Sequence, residues 1–580
     1  MDIQRTILLV IFGMSMMFLW DAWQKHQGRP SMFTPPVVAE QKAGTPPPAT
    51  APAKAAVPGE VPAAPAAAAT PAPAAGVPAV AAPAAVAVER LQIETDMVRA
   101  EIDPTGAVLA QVELLKQKVA PDWTAAGLIG MITGKKHDAN ANVMLLEWNK
   151  NRVYLARTGL TGPGGARYPN HLTPFVPVAG PRKLADGKDT LEISFEASAG
   201  GVKLIKTYVF KRGRYDIEVR HDIRNEGDAP VSPSVYLQLV RDGNKPDGES
   251  ALYYTFTGPA VYDETKKFRK VEFSSIEKGK AEHVKEARDG WVAMIQHYFV
   301  SAWVPEQGRS REIRTAQDAP NLYSVSTVMP LDAVAPGAAA TSKATLWVGP
   351  QDQEPLAAVA PGLDLVVDYG WLTVLSKPLF WLLNVLHGLT GNWGWAIVLL
   401  TVLVKAAFYP LSAASYRSMA KMKEVTPRLM ALREKYGNDK QKLNVAMMEL
   451  YKSEKINPLG GCLPIVVQIP VFIALYWVLL ASVEMRNQPW MLWVQDLATP
   501  DAWFILPVLM MASMWFQYKL NPTPPDPVQA KVMAVMPFIF GVMFFFFPAG
   551  LVLYWLVNNL ISIAQQWYIT KQIAGAKKVG

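Results

Sequence analysis

Trp393-Gly-Trp-Ala-Ile-Val-Leu-Leu-Thr-Val-Leu-Val-Lys405-Ala-Ala-Phe-Tyr-Pro410 holds one charge in an otherwise apolar run that ends at a proline. Its length and composition suit a membrane helix, where a lysine near the centre costs roughly 2.5 to 3.5 kcal/mol. Lys405 lies about one and a half turns before Pro410, so its ammonium could snorkel to the headgroups along its own stem. The other reading is a cation facing a wet cavity between helices.

Four further apolar stretches follow, and with about 391–411 they give five candidate spans: about 460–482, 502–519, 532–547 and 550–569. Charge orients them. The segment from Arg417 to Lys455 carries about ten Lys and Arg against about five acids, whereas Glu484, Asp496 and Asp501 outnumber Arg486 in the next loop, so the first is expected in the cytoplasm. Lys571, Lys577 and Lys578 put the short tail, 572–580, on the same side. At the other end, Thr6 to Trp20 is apolar, lacks a small-x-small cleavage site and runs into Trp20 and Trp23, which reads as an uncleaved signal anchor over 1–28. Counting back through six spans places both termini in the cytoplasm and the middle of the chain outside the inner membrane.

That middle has two parts. Residues 29–88 are mostly Ala, Pro, Val, Gly and Thr, too poor in large apolar groups to offset the entropy of ordering, and form a disordered tether. From 89 to 365 the apolar period becomes two: Leu191, Ile193 and Phe195; Tyr215, Ile217 and Val219; Val235, Leu237 and Leu239. Frequent Gly, Pro and Asn turns predict antiparallel strands and one large all-β sandwich. Trp291, Tyr298, Trp303 and Trp347 could line a groove, but within strand-like runs they read as core. The loose tether implies that most of this domain is dispensable to the spans. Residues 366–390 are expected to be an amphipathic helix in the interface, opened by Pro378.

Composition excludes several chemistries. One cysteine, Cys462, forbids an intramolecular disulfide, and with seven scattered His it leaves no Cys/His metal cluster. The net charge of +8 follows from cytoplasmic lysines and arginines and needs no specific nucleic-acid sequence as partner. There is no Walker loop and no dinucleotide fingerprint, so no cofactor is expected.

The basic segment, 413–457, reads as a helical hairpin. One arm carries Met419, Met422 and Val425 and restarts at Thr426-Pro427 through Leu429, Met430 and Leu432; Gly437-Asn-Asp439 turns the chain; Leu443, Met447, Met448, Leu450 and Tyr451 mark the return. Its methionines suit an adaptable contact surface. Within the spans, Thr401, Lys405 and Ser412 share a helix face and Tyr409 follows Lys405 by a turn, while Gln468, Gln517, Tyr554, Trp555, Asn558, Asn559, Ser562, Gln565 and Gln566 add polar groups. Such groups either glue a tight bundle or line a hydrated groove. No Asp or Glu lies in the five spans to neutralise Lys405, which favours the groove. A Ser/Lys hydrolase built on Ser412 or Ser562 lacks a second catalytic signature, and a transporter would want internal repeats that the spans do not show.

Several motifs occur together: Met1-Asp-x-Gln-Arg5, Gly391-Asn-Trp-Gly394, Tyr409-Pro410 after the intramembrane base, Met419-Ala-Lys-Met422, Asn457-Pro-Leu-Gly-Gly-Cys462 and Phe547-Pro-x-Gly-Leu-Val-Leu-Tyr554. In these the chain resembles the YidC/Oxa/Alb family of membrane protein insertases, in its Gram-negative form with a large periplasmic domain. The resemblance covers nearly the whole chain. It implies a five-span core, 391–571, with a positively charged groove open to cytoplasm and lipid, contacting nascent membrane proteins through Lys405, Thr401, Tyr409, Gln468, Gln517, Tyr554, Trp555, Asn558, Ser562 and Gln566. It also implies work as a monomer in the phospholipid bilayer, alone or with the Sec translocon and the ribosome. Lys405 stands where arginine is usual and Trp555 where tyrosine is frequent.

Overall fold

The computed structural model describes residues 89–119, 141–163, 166–246, 255–436, 439–454, 463–521 and 527–579. The expected anchor, the tether, the Gly437-Asn438 turn and the Asn457–Cys462 motif lie outside them.

Residues Leu91 to Pro350 form two nine-stranded sheets, antiparallel throughout their strand pairings. Alternation dictates the packing. Leu191, Ile193 and Phe195 on the strand Thr190–Ala199 are buried, as are Ile217 and Val219 on Asp216–Asn225 and Val235, Leu237 and Leu239 on Ser234–Asp242. Each such side chain, fully withdrawn from water, contributes about 1.5 to 3 kcal/mol. Trp291, Tyr298, Trp303 and Trp347 are all core residues, so the core reading of the aromatics is the correct one. Strand Val202–Lys211 points Val202, Leu204, Tyr208 and Phe210 inward and, between them, Lys206.

After the sheets come a short helix, Gln353–Val359, and then eight longer helices among the described residues: α1 (Thr373–Thr390), α2 (Trp393–Ala407), α3 (Tyr409–Tyr436), α4 (Lys440–Ser453), α5 (Leu463–Ala481), α6 (Ile505–Leu520), α7 (Pro527–Phe544) and α8 (Ala549–Val579). Gly391 ends α1 in the left-handed conformation, with its N–H on the His387 carbonyl. Asn392 then caps α2 by accepting from the Trp395 amide. Gly394 is obligatory for packing: a Cβ there would lie 2.2 Å from the Trp490 ring.

Two local expectations need correction. Pro378 lies inside α1, which starts at Thr373; its missing donation falls on Val374, an 84% exposed residue where water can serve the carbonyl. Thr426-Pro427 does not restart a helix, because α3 runs through it and the Thr426 hydroxyl donates to the Met422 carbonyl at 2.9 Å. Of helix length itself, among the described residues no single helix is both long and apolar enough to cross a membrane. Only α2 and α3 together meet that measure, bent by 67° between Ala407 and Tyr409, where Pro410 disfavours helical geometry at the residue before it. Shorter apolar stretches, Val467–Ala481 and Ala530–Phe544, lie on α5 and α7.

The apolar interior is continuous between the sheets and the helices. It runs from the sandwich through Leu356, Leu363, Val366 and Tyr369 into Leu383, Leu475 and Val478.

Candidate functional site

Lys405, at the last turn of α2, is buried, and its Nζ donates to the Ser562 hydroxyl of α8 at 2.8 Å. Ser562 passes the bond on: its hydroxyl donates to the Asn558 carbonyl one turn earlier, at 2.7 Å. The Asn558 side-chain oxygen in turn accepts from Gln468 Nε2 of α5 at 3.1 Å. Tyr416 of α3 also reaches Ser562. A polar chain thus ties α2, α8 and α5 around one cation. Each helix brings a residue that apolar surroundings would otherwise exclude, and two of the three bonds cross a helix boundary while the Ser562 to Asn558 bond links them within α8.

The remaining predicted positions distribute around this chain. Thr401, one turn before Lys405, is buried but spends its hydroxyl on its own helix, donating to Ile397 at 2.7 Å. Tyr554 and Trp555, one turn before Asn558, sit against α5: Trp555 stacks on Phe472 with centroids 5.2 Å apart, and Phe544 and Phe547 close around it. Gln566, one turn beyond Ser562, donates to the Asn521 side chain at 3.0 Å. Asn559 donates to Ser513 of α6 at 2.8 Å and faces away from the lysine. Gln517 is half-buried on α6, and Tyr409, 40% exposed, lies beyond the bend that follows Lys405. Lys405, Ser562, Asn558 and Gln468 are therefore brought together, whereas Thr401, Gln566, Gln517 and Tyr409 flank them.

The hairpin of α3 and α4 is held by an ion pair between Arg428 and Glu454, Nη1 to Oε1, at 2.5 Å, and Asp439 caps α4 on the Lys442 amide. Val425 and Leu429 are buried; Met419, Met422 and Met447 are half-buried; Met430 and Met448 are exposed at 57% and 65%. The two exposed methionines are the free apolar side chains of this arm pair that the pattern identified.

Sequence reasoning missed a second polar set, where the loop after α5 meets the sheets. Arg486 donates to the Lys118 carbonyl at 2.5 Å and lies over the rings of Tyr298 and Phe299, 5.0 and 5.3 Å from their centroids. His297 Nε2 donates to Leu480, in the last turn of α5, at 3.3 Å. Beside them, burial pushes the Glu484 carboxyl up to about 7, with the Asp352 carboxylate adding to the rise. Nothing in the alternation of the strands signals that these residues meet.

The comparisons agree with this architecture. Residues 385–577 match the family model described as 60Kd inner membrane protein, and residues 90–382 match the YidC periplasmic domain. Membrane protein insertase YidC of Bordetella petrii is 56% identical over 575 residues, covering 99% of this chain and 98% of the relative. That of Cupriavidus necator is 53% identical over 578 residues, covering 100% and 99%. A solved structure of an active YidC insertase with its first transmembrane domain resolved is 19% identical, covers 83% of this chain and 93% of its own, and has a TM-score of 0.40. A bacterial inner-membrane insertase with a helical C-terminal region and a periplasmic all-β domain is the class these matches define. The chain belongs to the YidC family of membrane protein insertases, whose relatives are named for insertion of membrane proteins and not as enzymes.

Proposed function

We propose that Lys405 and the polar chain it heads form a groove that receives the translocated segments of nascent inner-membrane proteins. The supporting observation is the hydrogen-bonded run from Lys405 through Ser562 and Asn558 to Gln468, with no Asp or Glu anywhere in the five apolar stretches. An acidic or polar substrate end exchanges with Ser562 for the ammonium, and the polar side chains of Thr401, Tyr409, Gln468, Gln517, Asn558 and Gln566 spare it the cost of entering hydrocarbon unpaired. Tyr554 and Trp555 offer an aromatic wall for sliding. The substrate's own apolar helix then partitions into lipid, which supplies the driving force. The exposed methionines of the hairpin hold that helix before entry.

The reading takes residues 391–571 as a five-span core behind a signal anchor, with both termini and the 413–457 hairpin in the cytoplasm. The short helices are accommodated by a locally thinned bilayer. In this reading the chain acts as a monomer, alone or beside the Sec translocon, and takes substrates from ribosomes. The test is a photocrosslinking scan in intact membranes carrying stalled nascent chains. Probes replacing Gln468, Trp555 and Ser562 are expected to trap the nascent segment, and a probe at Asn559, which faces α6, is not. Equal trapping at all four positions, or none at the first three, would reduce the polar chain to packing glue.

A further inference from the structure

The loop Ser482–Arg486 joins two parts of the molecule that the sequence treats as loosely coupled. Val483 and Met485 are buried in the continuous apolar seam. Ser482 interacts with the Tyr369 hydroxyl, which itself accepts from Gln353 at 2.7 Å. Arg486 completes the join. Its guanidinium has a planar face on two aromatic rings and one edge on a strand-end carbonyl, an arrangement that a lysine cannot reproduce. Asp496 of the same loop faces it. On the sheet side the contact is a tight hairpin turn: His297 takes a φ of 27°, strained for a non-glycine residue, and is stacked on Tyr298 at 3.7 Å. That turn caps the end of α5, because His297 supplies a donor to one of the carbonyls that a helix C-terminus leaves unpaired.

The other end of α5 carries Gln468. From Leu480 back to Gln468 the helix rises about 18 Å, so the sheet domain grips one end of a rod whose far end enters the Lys405 chain. We infer that Arg486 is a positioning residue for insertion: by clamping the end of α5 to the His297–Phe299 turn and to Lys118, it sets the depth and rotation of α5 and thereby holds Gln468 against Asn558. This inference rests on the groove reading for its consequence but not for its geometry. Ser376 of α1, which donates to Ala474 at 3.3 Å, holds the middle of the same helix between its two anchored ends.

The experiment uses the full-length chain in native membranes with Cys462→Ser, Gln468→Cys and Asn558→Cys, and follows the rate of disulfide formation between the two introduced cysteines. Adding Arg486→Ala is expected to slow the cross-link by about fivefold or more, the lower end of ordinary coupling between sites. Arg486→Lys, which keeps the charge and a donor but not the stacked plane, is expected to fall between. Tyr298→Leu opens the same clamp from the sheet side and stands in should the Ala variant fail to accumulate. A cross-link rate unchanged in both Arg486→Ala and Tyr298→Leu, while the sheet domain becomes more sensitive to protease, would overturn the inference and leave Arg486 as glue between domains. Because the cross-link reads helix position directly, it still answers if Lys405→Ala inserts normally and the groove reading itself fails.

Discussion

Among the described residues, two lysines are buried in opposite ways. Lys206, inside the sandwich, donates to the carbonyls of Gly106 and Thr158 at 2.6 and 2.8 Å and sits 5.1 Å from the centre of the Phe175 ring. Its acceptors are fixed backbone. Gly106 is itself locked, with φ of 75° and His171 backbone 2.3 Å from where a Cβ would be. Lys405 instead donates to a serine hydroxyl that turns about a single bond and already donates to Asn558. A lysine caged by fixed carbonyls holds a fold together; one bonded to a rotating hydroxyl can change partner without moving any backbone. On the groove reading proposed above, the contrast is between a lysine that serves the fold and one that receives a substrate.

The largest effect that could break this contrast is on insertion. Lys405→Glu should cut the insertion rate of a substrate with an acidic translocated end by about tenfold or more, equivalent to about 1.4 kcal/mol. Lys405→Arg should stay close to wild type, and neither should move the thermal transition of the sheet domain. The measurement is reconstitution into vesicles at matched protein levels, with the melting of the same preparations followed in parallel. Near-normal insertion by the Glu variant would place Lys405 with Lys206 as a structural charge.

Next in size is the reverse substitution. Lys206→Met should destabilise the sheet domain by about 1 kcal/mol, since two buried carbonyls lose their donor while a desolvated charge is relieved. Thermal melting should show it, and insertion per folded molecule should hold. A variant that melts normally yet inserts poorly would contradict the cage.

The most gradual effect is a pH slope. Burial lowers the Lys206 ammonium from its ordinary 10.5 to about 7. Between those values the unfolded chain binds more protons than the folded one, so this lysine makes stability climb as pH rises through the window, by at most about 1.4 kcal/mol per unit. Melting curves from pH 7 to 9 should therefore diverge between wild type and Lys206→Met, with the slope lost in the variant. Parallel slopes would mean that the carbonyl cage keeps the lysine charged at all these values.

These two residues also show what could be read without coordinates. Lys405 stands out because every neighbour in its run is apolar. Lys206 was missed: Val202, Leu204, Lys206, Tyr208 and Phe210 occupy one side of a period-two strand, but Lys203 and Lys211 on the same strand make lysine look like surface. The sandwich and the helix-breaking role of the Tyr409-Pro410 step followed from periodicity and proline chemistry. Partner choice did not. That Ser562 and not Ser412 meets Lys405 depends on the rotation of α8 against α2, which is set by packing along both helices. The Arg486 contact requires Lys118, Tyr298 and Phe299 to converge from distant strands, and local patterns carry no record of that.

The continuous apolar seam has a consequence for synthesis on the ribosome. The sheet-domain side of the seam, through Leu356, Leu363 and Val366, is complete when the chain has reached Val367, but the Val483 and Met485 that cover it are made later. At about 5 to 20 residues per second that gap lasts roughly 6 to 23 s. During this interval the newly made domain has an apolar edge uncovered, with α1 as the first later segment that can lie against it, so its burial is finished only by residues made more than a hundred positions later.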